Sequence, residues 1–169
     1  GPGKNCRSQG ESSCSVYLQS TDISGNASEF DVVTYNIDWI PPVVGVTSPI
    51  TAKEGLAQTY SAAVSDNLGL EYCSLRAQKA DGLYDIIPMS FYSTACEVGS
   101  PLNICPANTS CKACASYNFI DIVLPHESRI MYVLCADRYD SQTGSYLNVA
   151  AGSPVSVDVT ANNPPQITS

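Results

Sequence analysis

The fold is indicated by two stretches that share one pattern, Met131-Tyr132-Val133-Leu134-Cys135-Ala136-Asp137 and Val16-Tyr17-Leu18-Gln19-Ser20-Thr21-Asp22. Each is followed by a strand pattern in which valine-type residues alternate, and each copy then ends in a double proline, at 164–165 and at 41–42. The loop of the later copy is several residues longer. This similarity predicts an internal repeat of a β unit. The alternative is that any two β-hairpins share such a pattern.

The repeat divides the chain at its double prolines, because proline ends a helix and lacks the N–H that a central strand needs. We expect residues 1–40 to be the C-terminal strands of a preceding repeat, folded as a hairpin. Residues 41–162 then form one complete sandwich with a Cys-rich insert at 92–117, and residues 163–169 are the start of the next repeat or a linker to it.

The sequence predicts short β-strands and no helix. Nothing sustains a helical apolar period over three turns, whereas period-two runs separated by turn residues recur. Strands are predicted over 56–64, 71–78, 83–91, 119–124, 130–136 and 155–159. Short strands at this spacing are typical of a sandwich or a barrel.

The composition favours an exported β protein. Charged residues make up 14% of the 169 residues, against about 25% in an average soluble domain. Eight cysteines are too many for a reducing cytosol unless they bind metal, and the even number suggests four disulfides. The net charge of −8 argues against a nucleic-acid partner. No apolar run approaches the ~20 residues of a membrane span, so direct membrane insertion is not expected.

Three short phrases resemble the tandem immunoglobulin-like domains of bacterial and archaeal surface proteins, which are adhesin-like. They are the turn Asp22-Ile23-Ser24-Gly25-Asn26, the junction Ile37-Asp38-Trp39-Ile40-Pro41-Pro42, and Ser65-Asp66-Asn67 before a Cys-bearing strand. The later copy departs from the first phrase, since Asp137-Arg138-Tyr139-Asp140 lacks the Gly-Asn turn. The resemblance implies an all-β, immunoglobulin-like β-sandwich that is disulfide-stabilised, with an additional N-terminal β-hairpin.

The resemblance also suggests a partner for two cysteines. Cys73 and Cys135 each lie in the middle of a predicted strand on an apolar face, a placement similar to the inter-sheet bridge of immunoglobulin-like domains. Closing a loop of 62 residues is worth roughly 4 kcal/mol in the chain-entropy model. Cys6 and Cys14 remain in the N-terminal piece, and we expect them to bond locally.

Four cysteines lie in the insert: Cys96, Cys105, Cys111 and Cys114. Two disulfides would brace a loop of this length, and their connectivity stays open. A four-thiolate zinc site is the main alternative, because Cys111-Lys112-Ala113-Cys114 has ligand spacing. The same Cys-x-x-Cys matches a redox motif but lacks the helix N-terminus that would activate a thiolate.

No catalytic constellation is recognisable, so the protein is not expected to be an enzyme. His126 follows a proline without an accompanying nucleophile motif and reads as a solvated turn residue. The pairs Asp81/Asp85 and Asp137/Asp140 have no specific spacing for glycoside hydrolysis. Asp38, Asp66, Asp137 and Asp140 offer oxygen ligands that calcium accepts, but in no known calcium spacing. We therefore expect no cofactor, with calcium as the candidate exception.

The function that follows is structural. We expect a non-catalytic extracellular module of a large cell-surface protein, a spacer or adhesive repeat whose partners are neighbouring repeats and a protein or glycan ligand. Two sequons, at Asn26 and Asn108, are candidate glycosylation sites. The alternatives are a filament subunit assembled by strand complementation and a glycan- or protein-binding domain that uses the aromatic residues Tyr84, Phe91 and Tyr92 beside the Cys-rich loop.

Overall fold

The computed structural model describes residues 13–36, 40–137, 139–140, 145–146 and 148–162. The chain separates into two units, residues 1–40 and 41–169. The division falls where the first double proline begins. Within the described residues there are strands and turns but no helix, and so no helix long and apolar enough to cross a membrane.

The first unit contains a β-hairpin. Strand β1 (Ser13–Leu18) pairs antiparallel with β2 (Asp31–Asn36), and Val16 lies opposite Val33. The connection is closed by Asp22, which accepts hydrogen bonds from the backbone N–H of Asn26 at 2.8 Å and from its side-chain amide at 2.9 Å. Such short polar side chains stabilise turns by bonding to nearby backbone.

The second unit is built from twelve short strands in the described residues. They are β3 (Val43–Val44), β4 (Thr51–Lys53), β5 (Gln58–Asp66), β6 (Tyr72–Gln78), β7 (Tyr84–Pro88), β8 (Ser90–Tyr92), β9 (Thr109–Tyr117), β10 (His126–Ala136), β11 (Tyr139–Asp140), β12 (Ser145–Tyr146), β13 (Val149–Ala151) and β14 (Val155–Thr160). β11 and β12 pair only with each other.

Two sheets form the sandwich. One has the order β3-β5-β9-β8, and the other has the order β4-β14-β10-β6-β7, with β13 also pairing with β10. The first corresponds to the A-B-E-D sheet of the immunoglobulin fold, and β14-β10-β6 to its G-F-C strands. The fold class is therefore an immunoglobulin-like, disulfide-stabilised β-sandwich with an additional hairpin.

The core forms because alternate side chains of the two sheets face each other. β5 contributes Tyr60, Ala62 and Val64, which are at most 1% exposed. Leu75 and Val133, from the facing sheet, are fully buried in the same cluster. In these strands, the period-two pattern of the sequence therefore marks the residues that face the core, as expected.

The pair Cys73–Cys135 is a disulfide, but its place in the fold differs from the expected inter-sheet bridge. Cys73 on β6 lies directly opposite Cys135 on the neighbouring strand β10, so the bond lies within one sheet. The immunoglobulin bridge would join the B and F strands, which here are β5 and β10. Sequence cannot separate these cases, because both cysteines lie on the core face of their strands either way.

Three other predictions about strands were wrong. Residues 119–124 form no strand, since Asp121 has a φ of 61° and interrupts the extended backbone. The predicted strand 83–91 is two strands, β7 and β8, which belong to different sheets. The stretch 109–117, which we had placed in the insert, is the strand β9. Its alanine, lysine and serine residues have weak strand propensity, so the sequence pattern did not predict this strand.

The two stretches that share a sequence pattern also have the same strand pairing. Val16 lies opposite Val33 in the hairpin, and the matching residues Met131 and Val155 lie opposite each other in β10 and β14. Asp137 also repeats the role of the turn aspartate: it accepts the backbone N–H of Asn148 at 3.0 Å and its side-chain amide at 2.6 Å. The longer loop of the second copy therefore ends in the same Asp–Asn contact.

Candidate functional site

The insert is the most distinctive addition to the sandwich. We define the insert loop as residues 93–108, between β8 and β9. Both of its ends are held to β9, because the structure pairs Cys96 with Cys114 and Cys105 with Cys111. Four sulfurs bonded in this way provide no thiolate for zinc, and the two cysteines of the Cys-x-x-Cys do not pair with each other. The pairing agrees with two bracing disulfides rather than with a four-thiolate zinc site or a redox Cys-x-x-Cys.

The Cys96–Cys114 bond fastens the first half of the loop onto the outer side of the β5/β9 pair. Cys114 faces away from the core along with Lys112 and Ser116, but it is only 5% exposed because the loop covers it. Next to Cys96, Glu97 accepts a 3.4 Å hydrogen bond from the Thr59 hydroxyl on β5. The loop is therefore held against the sheet by one covalent bond and one polar contact.

The Cys105–Cys111 bond fixes the second half of the loop to the core. Cys105 is fully buried and exchanges two backbone hydrogen bonds with Leu70, at 2.9 and 3.0 Å. Gly69 permits this approach: its φ is +100°, and a Cβ there would lie 2.8 Å from the carbonyl oxygen of Cys105. Any larger residue at 69 would push the loop away from the turn between β5 and β6.

The surface that the insert loop offers is aliphatic rather than aromatic. Val98 and Ile104 are 60% and 51% exposed. Phe91, which we had expected near a recognition surface, is 3% exposed and belongs to the core. Tyr84 lies on the other sheet, at its edge, so the three predicted aromatic residues do not form one contact surface.

His126 is the first residue of β10 and is solvent-exposed. Its Nδ1 lies 3.5 Å from Asp158, and it lines a shallow groove of about 390 Å³ between the β6–β7 turn and the segment Leu124–Arg129. Ser128 is on the same outer face, but its hydroxyl bonds to Ser156 instead. These contacts do not connect a base to a nucleophile.

The candidate acidic residues have separate structural contacts. Asp81 accepts the backbone N–H of Leu83 at 2.9 Å in the β6–β7 turn, whereas Asp85 accepts the hydroxyl of Tyr117. Asp66 accepts two backbone N–H groups of its own turn.

Among the residues that the structure describes, no three histidine, cysteine or acidic side chains cluster as a metal site. Two of the proposed calcium ligands, Asp38 and the side chain of Asp140, lie outside the described residues. The expected bond between Cys6 and Cys14 also lies outside the described residues.

The two sequons differ in their surroundings. Both asparagines are exposed, but the Asn26 amide donates to Asp22 within its turn. Asn108 lies inside the small loop that Cys105–Cys111 closes, with a φ of 55°, and its backbone N–H donates to the Asp66 carbonyl. Of the two, Asn108 projects from the more firmly held backbone.

Comparisons with known proteins add little to this description. No protein-family model matches the chain, and no curated protein matches it. Among solved structures, the chain is similar to the crystal structure of the CARDB domain of the PF1109 protein in complex with di-metal ions from Pyrococcus furiosus. The identity is 11% and the TM-score 0.37, over 75% of this chain and 94% of that chain. The fold assignment rests on the strand order given above.

Proposed function

We propose that this chain is a non-catalytic extracellular module of a large cell-surface protein, a spacer that carries the insert loop as its contact surface. The observation that carries the proposal is the nesting of the disulfides. Cys96–Cys114 and Cys105–Cys111 both lie within the loop that Cys73–Cys135 closes. Tension along the chain passes through the outer bond, so it bypasses the sandwich strands from β7 to β9 and the insert loop.

Two further observations support the proposal that this chain is one of several similar modules arranged in series. The Asp–Asn contact and the strand register recur in both copies of the internal repeat. Disulfides at this density are typical of oxidising compartments outside the cytosol. A module of this kind resists extension and keeps its contact loop folded while the surrounding chain is under load.

The location is tested on intact cells that produce the protein. A membrane-impermeant amine label should modify the protein, and alkylation without reductant followed by intact-mass measurement should find no free thiol. A protein that escapes the label while lysed cells allow labelling would contradict a surface location. Alkylation of all eight cysteines in native protein would contradict the oxidised state.

The contact role of the insert loop is tested separately. Immobilised glycans and extracellular-matrix proteins are probed with the purified chain, with Val98→Ser and Ile104→Ser, and with Val149→Ser as a control at an equally exposed site on the other sheet. Loss of binding with both insert variants and retention with the control is the expected result. Equal binding by all four proteins would exclude the loop as the contact surface.

A filament subunit is the second candidate function. The hairpin β1–β2 forms a two-stranded sheet of its own in the described residues, and an isolated pair of strands is only marginally stable in water. Such a hairpin gains stability by completing the sheet of another subunit. Hydrogen exchange separates the two functions: protection of residues 13–36 that grows with protein concentration favours the filament, and protection that does not change with concentration excludes it.

A further inference from the structure

Among the residues that the structure describes, strand β7 is an open sheet edge. It is the last strand in the order β4-β14-β10-β6-β7, and among the described strands it pairs only with β6. An open edge presents a row of backbone donors and acceptors to any other strand. What this edge can bind is determined by which of its groups point outward.

The hydrogen bonds to β6 determine which groups point outward. The carbonyl of Leu83 accepts from Lys79, and the N–H of Met89 donates to Cys73, so these odd-numbered positions face β6. Because antiparallel bonding alternates along a strand, the backbone groups of Tyr84, Ile86 and Pro88 face away. Proline has no N–H, so the open edge presents two donors and three acceptors.

The side chains of the same three residues lie on the outer face of the sheet and carry no charge. Ile86 is 55% exposed. Tyr84 is 37% exposed and packs edge-on against Tyr132 of β10, with ring centroids 5.5 Å apart. The intervening Asp85 is on the inner side, bonded to Tyr117. In a chain with a net charge of −8, this edge is a place where two copies can approach without facing like charges.

We propose that β7 pairs antiparallel with β7 of a second copy, about a two-fold axis at Ile86. Ile86 then lies opposite Ile86 of the other copy, and each Tyr84 lies opposite a Pro88. The pairing forms four backbone hydrogen bonds: two between the Ile86 residues, and one from each Tyr84 N–H to the facing Pro88 carbonyl. All outward donors of both strands are used.

The choice of register follows from charge. Moving the axis to Asp85 would also form four bonds, but it would place two Asp85 carboxylates directly opposite, which is destabilising. Moving the axis to Ile87 would require the N–H that Pro88 lacks. The Ile86 register instead places Asp85 opposite Ile87. The edge is therefore self-complementary, as a two-fold interface requires, and joins two sheets into one continuous sheet.

The association is tested on the full chain by sedimentation equilibrium up to about 1 mM protein, where weak interfaces become populated. The weight-average mass of the wild type should rise toward that of a dimer. Ile86→Lys and Ile86→Glu should each remain monomeric, because like charges then meet at the axis. An equimolar mixture of these two variants should recover the dimer mass, and Val149→Lys should behave as the wild type.

Cross-linking gives an independent measurement that does not depend on weak affinity. Hydrogen-bonded antiparallel pairs have Cα atoms about 5.5 Å apart, which is within the range of a disulfide. Ile86→Cys should therefore form a covalent dimer under mild oxidation, and Val149→Cys should form at least tenfold less.

A wild type that stays monomeric throughout, together with equal cross-linking of the two cysteine variants, would overturn the proposal. A dimer that persists in both charged Ile86 variants would assign the contact to another surface. Neither result bears on the spacer function, which this pairing does not require.

Discussion

Tyr60 is a fully buried tyrosine whose hydroxyl has no hydrogen-bond partner within the described residues. Burial raises the pKa of Tyr60 to about 12. An unpaired buried hydroxyl costs on the order of 1 kcal/mol. The ring of Tyr60 packs edge-on against Phe119. The ring therefore stabilises the core, and the hydroxyl does not.

We predict that Tyr60→Phe is neutral or stabilising by up to about 1 kcal/mol at pH 7. The unfolded state releases the Tyr60 proton above pH 10 while the folded state retains it, so the wild type loses about 1.4 kcal/mol per pH unit between pH 10 and about 12. Phenylalanine has no such proton. Urea unfolding at pH 7 and pH 11 measures both effects, and an equal loss in both proteins at pH 11 would refute the assignment to Tyr60.

Glu127 organises the segment before β10. Its carboxylate accepts the backbone N–H groups of Leu124 at 3.0 Å and Val123 at 2.7 Å, and it pairs with Arg129. These hydrogen bonds, with the guanidinium, hold the pKa of Glu127 below its usual value of 4.5. The irregular segment that replaces the expected strand at 119–124 is therefore fixed by side chains.

The stability from Glu127 should be present above pH 4.5 and be lost as the pH falls through its lower folded-state pKa. We predict that Glu127→Gln lowers the melting temperature at pH 7 but has a much smaller effect near pH 2. Thermal unfolding at the two pH values measures this, with Glu29→Gln as a control for the loss of one exposed carboxylate. A deficit of the same size at both pH values would mean that only packing was changed.

At the scale of the strands, the three disulfides should contribute unequally. In the chain-entropy model the stabilisation grows with the loop that is closed. The separations are 62, 18 and 6 residues, which correspond to about 4, 3 and 2 kcal/mol. Removing each bond by a double Cys→Ala substitution, followed by urea unfolding, should give losses in the order Cys73–Cys135, Cys96–Cys114, Cys105–Cys111. The reverse order would show that local packing of the insert dominates.

At the scale of the whole molecule, the nested bonds predict how the chain responds to force. Extending a chain adds about 3.5 Å per residue, so the 62-residue loop would hide roughly 220 Å of contour length while Cys73–Cys135 is intact. Pulling the full chain by its ends should show this increase only after reduction. The variant Cys73→Ala/Cys135→Ala keeps the inner bond Cys96–Cys114, which spans 18 residues, so it should release roughly 150 Å of this length without reductant. An unchanged length in that variant would disprove the load path.

The sequence by itself determined the fold class and the strands with strong alternation, such as β5, β6 and β14. These follow from local patterns, since period two and turn residues are visible in neighbouring positions. The resemblance to immunoglobulin-like domains also suggested the pair Cys73–Cys135, which the structure forms within one sheet. Whether the protein is extracellular and structural stays a prediction.

Only the tertiary structure decided where distant segments meet. Sequence could not separate an inter-sheet bridge from the bond within one sheet, because alternation identifies a core face but not the neighbouring strand. It missed β9, whose small residues, such as Ala113, are buried in the core between the two sheets. It also could not show that Asp137 reaches Asn148 across a longer loop, or that β7 is an edge. Each of these depends on the order of the strands in the sheets. That order is established by contacts between residues that lie far apart in the chain.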